Sequence, residues 1–133
     1  MISKTKKTYF KVAKQISMLS NHRCKIGCVV VKNHRIISSG HNSATETHAI
    51  QARIDKKYFG FDCPGYLHAE TDALLPLIRA KTDLTNATIF VYRKLKNGAG
   101  LSRPCPRCMK LIKSLGIKKI NYSTDYGYCD EEI

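Results

Sequence analysis

Two short motifs carry the side chains best suited to binding a metal ion. His68-Ala69-Glu70 stands 37 positions before Cys105, and Cys108 follows Cys105 at a spacing of three. Each motif is predicted to open a helix, so the two thiols point the same way and the helix dipole favours their thiolate form. One imidazole and two thiolates form a three-ligand site that suits zinc, and an open fourth position is typical of catalysis.

Glu70 places a carboxyl group at the same predicted helix start as His68. A glutamate in the first turn of a helix is also common for dipole reasons alone. A single Cys-x-x-Cys is a weak signal, and a single His-Ala-Glu is weaker. The two motifs together, in this order and each at the start of a predicted helix, are a strong signal.

The motifs resemble those of the zinc-dependent cytidine/deoxycytidylate deaminase superfamily, whose signature is H-x-E followed by P-C-x-x-C. The resemblance runs from about Gly27 to Tyr122 and includes Gly40-His41-Asn42 at the end of a predicted hairpin. It implies a three-layer α/β/α fold with a central mixed sheet of four to five strands. It also implies a hydrolase that attacks C4 of cytosine, giving the uracil form and ammonia.

By this resemblance, His68, Cys105 and Cys108 are the zinc ligands. Glu70 is then the catalytic residue, which takes a proton from the attacking water, delivers it to N3 and helps the amino group leave. A glutamate suits this role because a dry pocket stabilises its protonated form.

The resemblance and the charge of one loop predict the substrate contacts. Asn42 is expected to bind the sugar or the base edge, and the backbone of Ala69 is expected to meet the pyrimidine. The loop Arg93–Arg103 is longer than the usual link in this family and carries four cations. These cations, Arg103 among them, are predicted to bind a substrate phosphate or a nucleic-acid backbone; the alternative is a solvated loop.

Two features of the sequence point to different substrates. His68 is typical of deaminases acting on deoxycytidylate, tRNA adenosine or polynucleotide cytosine, whereas the short end after Ser123 resembles the nucleoside deaminases. The leading hypothesis is a free cytosine nucleotide, most simply dCMP. Alternatives are cytosine in single-stranded DNA or RNA, adenosine in tRNA, and a catalytically inactive zinc-stabilised module that binds nucleic acid. The intact Glu70 argues against the last of these.

Hydrophobic periodicity predicts the elements that position these motifs. Helices are expected over 5–20, 67–80 and about 105–115, and strands over 27–32, 35–41, 87–94 and 117–123. Residues 42–66 have no clean period, although a short helix at 46–57 is compatible with them and Pro64-Gly65 would close the segment. Residues 96–102 are predicted to be a loop, and 128–133 to return as a short edge strand.

Length and composition restrict the class of protein. The chain has 133 residues, 43% of them hydrophobic, which predicts one domain spanning 1–133. Its longest apolar runs have about four residues, too few for a membrane helix of roughly 20. Lys11 and Lys14 interrupt the basic N-terminal segment, so it is not a secretory signal, and a cytoplasmic location is expected.

The net charge of +13 is unevenly distributed. Residues 1–45 and 84–124 each carry nine Lys or Arg and no acid, whereas the last nine residues carry four acids and no base. This balance favours anionic ligands, from nucleotides to single-stranded nucleic acid, or else a lysine-rich solvated surface. The resemblance adds the expectation of a homo-oligomer.

Six cysteines without a secretory signal argue for metal binding or reduced thiols rather than disulfides. Besides Cys105 and Cys108, a second structural zinc would have candidate ligands at His22, Cys24, Cys28 and Cys63. We consider this second site the poorer interpretation, because Cys28 lies in a predicted strand and free cysteines are commonly just buried.

Overall fold

The computed structural model describes residues 2–60 and 66–133 of the chain. The helices in these ranges are α1 Lys4–Ser17, α2 Ala49–Phe59, α3 Ala69–Arg79 and α4 Pro106–Ser114. The strands are β1 Lys25–Lys32, β2 Arg35–His41, β3 Thr88–Lys94, β4 Ala99–Gly100, β5 Lys119–Thr124 and β6 Gly127–Glu132.

The strands form a mixed sheet in the order β2-β1-β3-β5-β6, with β4 paired to β3 beside this path. β3 and β5 are parallel because α4 crosses over between them, and the other pairs are antiparallel. The predicted mixed sheet is thus confirmed. It has one strand more than the four to five expected, since the two-residue β4 is too short for a period to show.

Alternating side chains of β1 supply two cores, one on each face of the sheet. Cys28 and Val30 pack toward α3 and α4, whereas Val29 and Val31 pack toward α1. The run Cys28–Val31 is buried throughout for this reason, as expected of a strand covered on both faces. The predicted three-layer α/β/α arrangement is therefore confirmed, with α2 lying against α4.

Two glycines allow helices to approach the sheet closely. A Cβ atom on Gly40 would lie 2.3 Å from the backbone nitrogen of Ala73, and one on Gly27 would lie 2.1 Å from the carbonyl oxygen of Ala13. Both contacts are with backbone atoms, so a side chain would push the whole helix away. Gly40 thereby fixes the distance between β2 and α3, the helix that begins with the His-Ala-Glu motif.

Several predicted boundaries were wrong, each for a local reason. α1 ends at Ser17 rather than near residue 20, and β1 begins already at Lys25. The helix in the aperiodic segment begins at Ala49 rather than 46, since the side chain of His48 accepts a hydrogen bond from the Ile50 N–H and caps it.

The predicted loop at 96–102 contains β4, and the strand predicted at 117–123 begins at Lys119. The edge strand predicted at 128–133 is β6, Gly127–Glu132. Pro76 lies within α3 and does not end it. Pro64-Gly65 lies outside the described residues. Among the residues described, no helix is both long and apolar enough to cross a membrane.

Candidate active site

The two motifs lie at the starts of neighbouring helices on one face of the sheet. His68 is the N-cap residue of α3, and Cys105 is the N-cap residue of α4. His68 Nδ1 is 3.5 Å from Cys105 Sγ and 3.3 Å from Cys108 Sγ. Residues from two distant parts of the sequence thus converge on one point, as their spacing predicts.

The geometry of these three atoms fits a zinc ion. With Zn–S bonds of about 2.3 Å and a Zn–N bond of about 2.0 Å, tetrahedral nitrogen and sulfur ligands lie about 3.5 Å apart. The imidazole nitrogen and the two sulfurs all lie within 4.8 Å of one another. In residues 2–60 and 66–133, no other three His, Cys, Asp or Glu side chains meet this criterion.

Without a metal, the three groups share protons unequally. Hydrogen bonding from Cys108, and then from His68, lowers the pKa of Cys105 to about 3, so that Cys105 is a thiolate. Hydrogen bonding to that thiolate and burial raise the pKa of Cys108, and the hydrogen bond to Cys105 raises the pKa of His68. A metal bound here must therefore displace protons from Cys108 and His68.

Glu70 lies in the first turn of α3 with only 5% of its surface exposed. Burial raises its pKa above the ordinary value, which favours the protonated form, while the nearby His68 opposes the shift. The Cys105 and Cys108 side chains also influence the pKa of this carboxyl group, so Glu70 lies close to the candidate ligand cluster. A carboxyl group in such surroundings holds its proton to a higher pH than an exposed glutamate does, which suits an acid–base role.

The cluster opens into a cavity of about 330 Å³, which is large enough for a small-molecule ligand. Its lining includes all three predicted substrate contacts together with the candidate catalytic and ligand residues: Asn42, Ala69, Arg103, His68, Glu70 and Cys105. The structure thus brings the predicted site residues together, with Cys108 buried just behind the cavity wall.

Most of the hydrogen-bonding capacity of the Asn42 side-chain amide is satisfied by other groups of the protein. Its oxygen accepts hydrogen bonds from the Ser20 hydroxyl (2.6 Å) and the Ile26 N–H (3.0 Å), and its nitrogen donates to the Cys24 carbonyl (2.6 Å). Asn42 therefore joins the end of β2 to the start of β1 at the cavity wall. One amide hydrogen remains for a ligand.

The two arginines of the predicted cationic loop differ in their partners. The guanidinium group of Arg103 donates to Glu131 on β6, with distances of 2.7 and 3.4 Å. That of Arg93 donates to the Cys24 sulfur at 3.6 Å, and its buried Nε has no hydrogen-bond partner among the residues described. Both line the cavity, whereas Lys94 and Lys96 are not among its lining residues.

Sequence reasoning missed the serine pair that fixes this loop to the sheet. The Ser102 hydroxyl donates to the Val91 carbonyl at 2.8 Å and lies 2.9 Å from the Ser123 hydroxyl. The Ser123 hydroxyl also accepts a hydrogen bond from the Arg93 N–H. Both serines are buried, and only their pairing across the fold, which no local pattern shows, reveals their role.

The candidates for a second zinc site do not form a cluster in the described residues. Cys28 is fully buried in β1, and His22 Nδ1 accepts a hydrogen bond from the Cys24 N–H. Cys63 lies outside the described residues.

Comparison with known proteins decides the family. A family profile described as the cytidine and deoxycytidylate deaminase zinc-binding region matches residues 3–124. The chain belongs to the cytidine and deoxycytidylate deaminase family. It is a hydrolytic deaminase, and the resemblance predicted from its motifs is confirmed.

Similar proteins include deaminases from phages and a bacterium. A deoxycytidylate deaminase of Mycobacterium phage D29 is 32% identical over 112 residues, which are 75% of this chain and 78% of that protein. An uncharacterized deaminase in the luxG 3′ region of Aliivibrio fischeri is 31% identical over 133 residues, 99% of this chain and 76% of that protein.

A solved structure of the dCMP deaminase from the cyanophage S-TIM5, in complex with dCMP and dUMP, matches with a TM-score of 0.65. It is 28% identical in sequence, and the match covers 93% of this deaminase and 84% of the cyanophage chain.

Proposed function

We propose that this deaminase hydrolyses the 4-amino group of dCMP, giving dUMP and ammonia. The observation that carries the proposal is the single cavity that joins the His68, Cys105 and Cys108 cluster, the buried Glu70 and the poorly paired guanidinium group of Arg93. The similarity to a phage deoxycytidylate deaminase and to a cyanophage enzyme in complex with dCMP and dUMP supports it.

His68, Cys105 and Cys108 would hold a zinc ion. When bound, zinc supplies Lewis acidity that lowers the pKa of a water to about 7. Glu70 receives a proton from the attacking water on its buried carboxyl group. Its position beside the ligand cluster lets it deliver that proton to N3 of the pyrimidine, and then take the second proton from the oxygen now bound to C4 and deliver it to the departing amino group. The oxygen of water ends on C4, and the 4-amino nitrogen leaves as ammonia.

Arg93 favours a substrate that carries a phosphate. A partly buried guanidinium group with one weak sulfur partner and an unpaired Nε needs an anion to satisfy its donors. The pocket residues around it supply no carboxylate other than Glu70, which serves the chemistry. We propose that the 5′-phosphate of dCMP pairs with Arg93, and that Arg103, already bound to Glu131, contributes less.

The test compares dCMP with deoxycytidine in the zinc-loaded enzyme, with ammonia release as the readout. Arg93→Met should raise KM for dCMP by about 10-fold or more, the worth of a charge-assisted hydrogen bond, and leave the activity on deoxycytidine unchanged. Arg103→Met is the matched variant. A larger effect at Arg103 would assign the phosphate to that residue, and no release of ammonia from dCMP by the wild type would refute the proposed function.

One observation favours a second candidate substrate, cytosine in single-stranded nucleic acid. Two side chains that line the cavity, Tyr66 and Leu101, are 46% and 55% exposed, so apolar surface flanks its mouth. Such surface suits stacking of a neighbouring base. An oligonucleotide arm in the same assay decides: uracil formed only in the oligonucleotide, with activity falling steeply as salt rises, would replace dCMP as the substrate.

A further inference from the structure

The helix α2 carries two polar side chains that are almost fully buried one turn apart. Gln51 is 0% exposed and Asp55 is 2% exposed. The amide nitrogen of Gln51 donates to Asp55 Oδ1 at 3.2 Å, so the two side chains form one unit. Neither lines the cavity of the candidate active site.

This pair reaches both halves of the ligand cluster. Gln51 Oε1 accepts a hydrogen bond from the backbone N–H of His68 at 3.4 Å. Asp55 Oδ1 accepts one from Arg107 Nη1, also at 3.4 Å, and Arg107 lies between Cys105 and Cys108 in the first turn of α4. One side of the pair thus contacts the residue that carries the imidazole, and the other contacts the turn that carries the thiols.

Both contacts supply hydrogen bonds to polar groups at the helix starts and in α2. The His68 N–H belongs to the start of α3, where backbone donors have no partner within the helix. The carboxyl group of Asp55 is buried, and a buried carboxylate is stable only when it is paired and hydrogen-bonded. The pair is therefore held by hydrogen bonds at both of its ends.

We infer that Gln51 and Asp55 are positioning residues that hold the starts of α3 and α4 at the separation that one metal ion requires. This inference rests on the proposed function, in which His68, Cys105 and Cys108 bind zinc. Some residues orient metal ligands without binding the metal themselves. Replacing such a residue typically lowers metal affinity by about 10–100-fold.

The test measures how fast zinc leaves the loaded enzyme when a chromogenic chelator is added. Gln51→Leu keeps the side-chain volume but removes both hydrogen bonds, and Asp55→Asn keeps the shape but removes the charge. Both should release zinc about 10-fold faster than the wild type or more. Ile54→Ala is the control, because Ile54 lies on the same helix and packs into the main core but supplies no hydrogen bond to the ligand cluster.

Melting temperatures of the metal-free proteins separate positioning from general stability. Ile54→Ala should melt at a lower temperature yet release zinc at close to the wild-type rate. Equal acceleration of zinc release in Ile54→Ala at an equal loss of melting temperature would overturn the inference, and so would wild-type release rates in the Gln51 and Asp55 variants.

A further variant covers the case in which the buried changes prevent folding. Arg107→Met alters a side chain that is 31% exposed, so the chain should fold, and it should release zinc several-fold faster. A wild-type rate in Arg107→Met would then overturn the inference. If the wild type itself retains no zinc, the proposed function fails. If the wild type retains zinc and the variants release it at the wild-type rate, only the positioning role fails.

Discussion

Replacing Glu70 by Gln should abolish turnover and at the same time stabilise the metal-free fold. The side chain keeps its size, but it can no longer gain or lose a proton. General acid–base catalysis is worth about 10²–10⁴-fold, so kcat should fall by at least about 100-fold while zinc remains bound. Ammonia release and metal content measure these two effects.

The stabilisation follows from the direction of the pKa shift. Burial raises the pKa of Glu70 in the folded chain, so ionisation favours the unfolded chain. The stability that the protonated carboxyl group provides is complete below the unfolded pKa of about 4.3 and is lost as the pH rises through the folded value. Glutamine stays neutral at every pH. Between pH 5 and pH 8, Glu70→Gln should therefore have a higher melting temperature than the wild type.

A tenfold change in an acid dissociation constant corresponds to about 1.4 kcal/mol, and each kcal/mol of stability corresponds to roughly 3–6 °C of melting temperature in a chain of this size. The comparison is made on metal-free protein, because a bound cation would lower the pKa of the carboxyl group. Asp72→Asn is the matched control, since Asp72 occupies the same first turn and accepts a hydrogen bond from the His41 N–H outside the cavity. Wild-type turnover in Glu70→Gln, or a melting difference that does not vary with pH, would refute the reasoning.

Two further predictions concern the packing of α3 and the protons of the ligand cluster. Gly40→Ala should destabilise the fold by about 1–3 kcal/mol and weaken zinc retention, since the new Cβ would lie 2.3 Å from the α3 backbone. The exposed neighbour Ser39→Ala should change neither, and equal melting curves for the two variants would contradict the packing argument. Zinc affinity, measured by chelator competition, should fall as the pH is lowered from 8 to 6, because the raised pKa values of His68 and Cys108 let protons compete with the metal. A flat profile would exclude this cluster as the binding site.

The ligand cluster could be predicted from the sequence because its geometry is encoded locally. A capping position, a spacing of three and a following helix place Cys105 and Cys108 on one side of a helix start whatever surrounds them. The same holds for His68 and Glu70. Only the meeting of the two helix starts required the fold, and the order of motifs and strands made that arrangement predictable.

The residues that support the cluster could not be predicted, since their partners are distant in sequence. Gln51 and Asp55 have the spacing of one helical turn, but the segment around them shows no period, and nothing local indicates that they face His68 and Arg107. Which cation of the loop enters the cavity depends on strand register. Arg93 pairs with Gly100 across β3 and β4, a two-residue strand that the sequence does not reveal.

The distribution of charge shows why the net charge of a sequence segment is a poor guide to where ligands bind. The two cationic segments predicted anionic ligands, yet the acidic C-terminal strand β6 contacts both of them, through the ion pairs of Lys6 with Asp130 and of Arg103 with Glu131. Exposed pairs of this kind contribute little stability, but they reduce the local positive charge where they occur. Arg93 is the cation at the cavity that β6 leaves without a carboxylate partner among the described residues. The phosphate of the proposed substrate is therefore best sought beside Arg93, which lines the same cavity as Glu70.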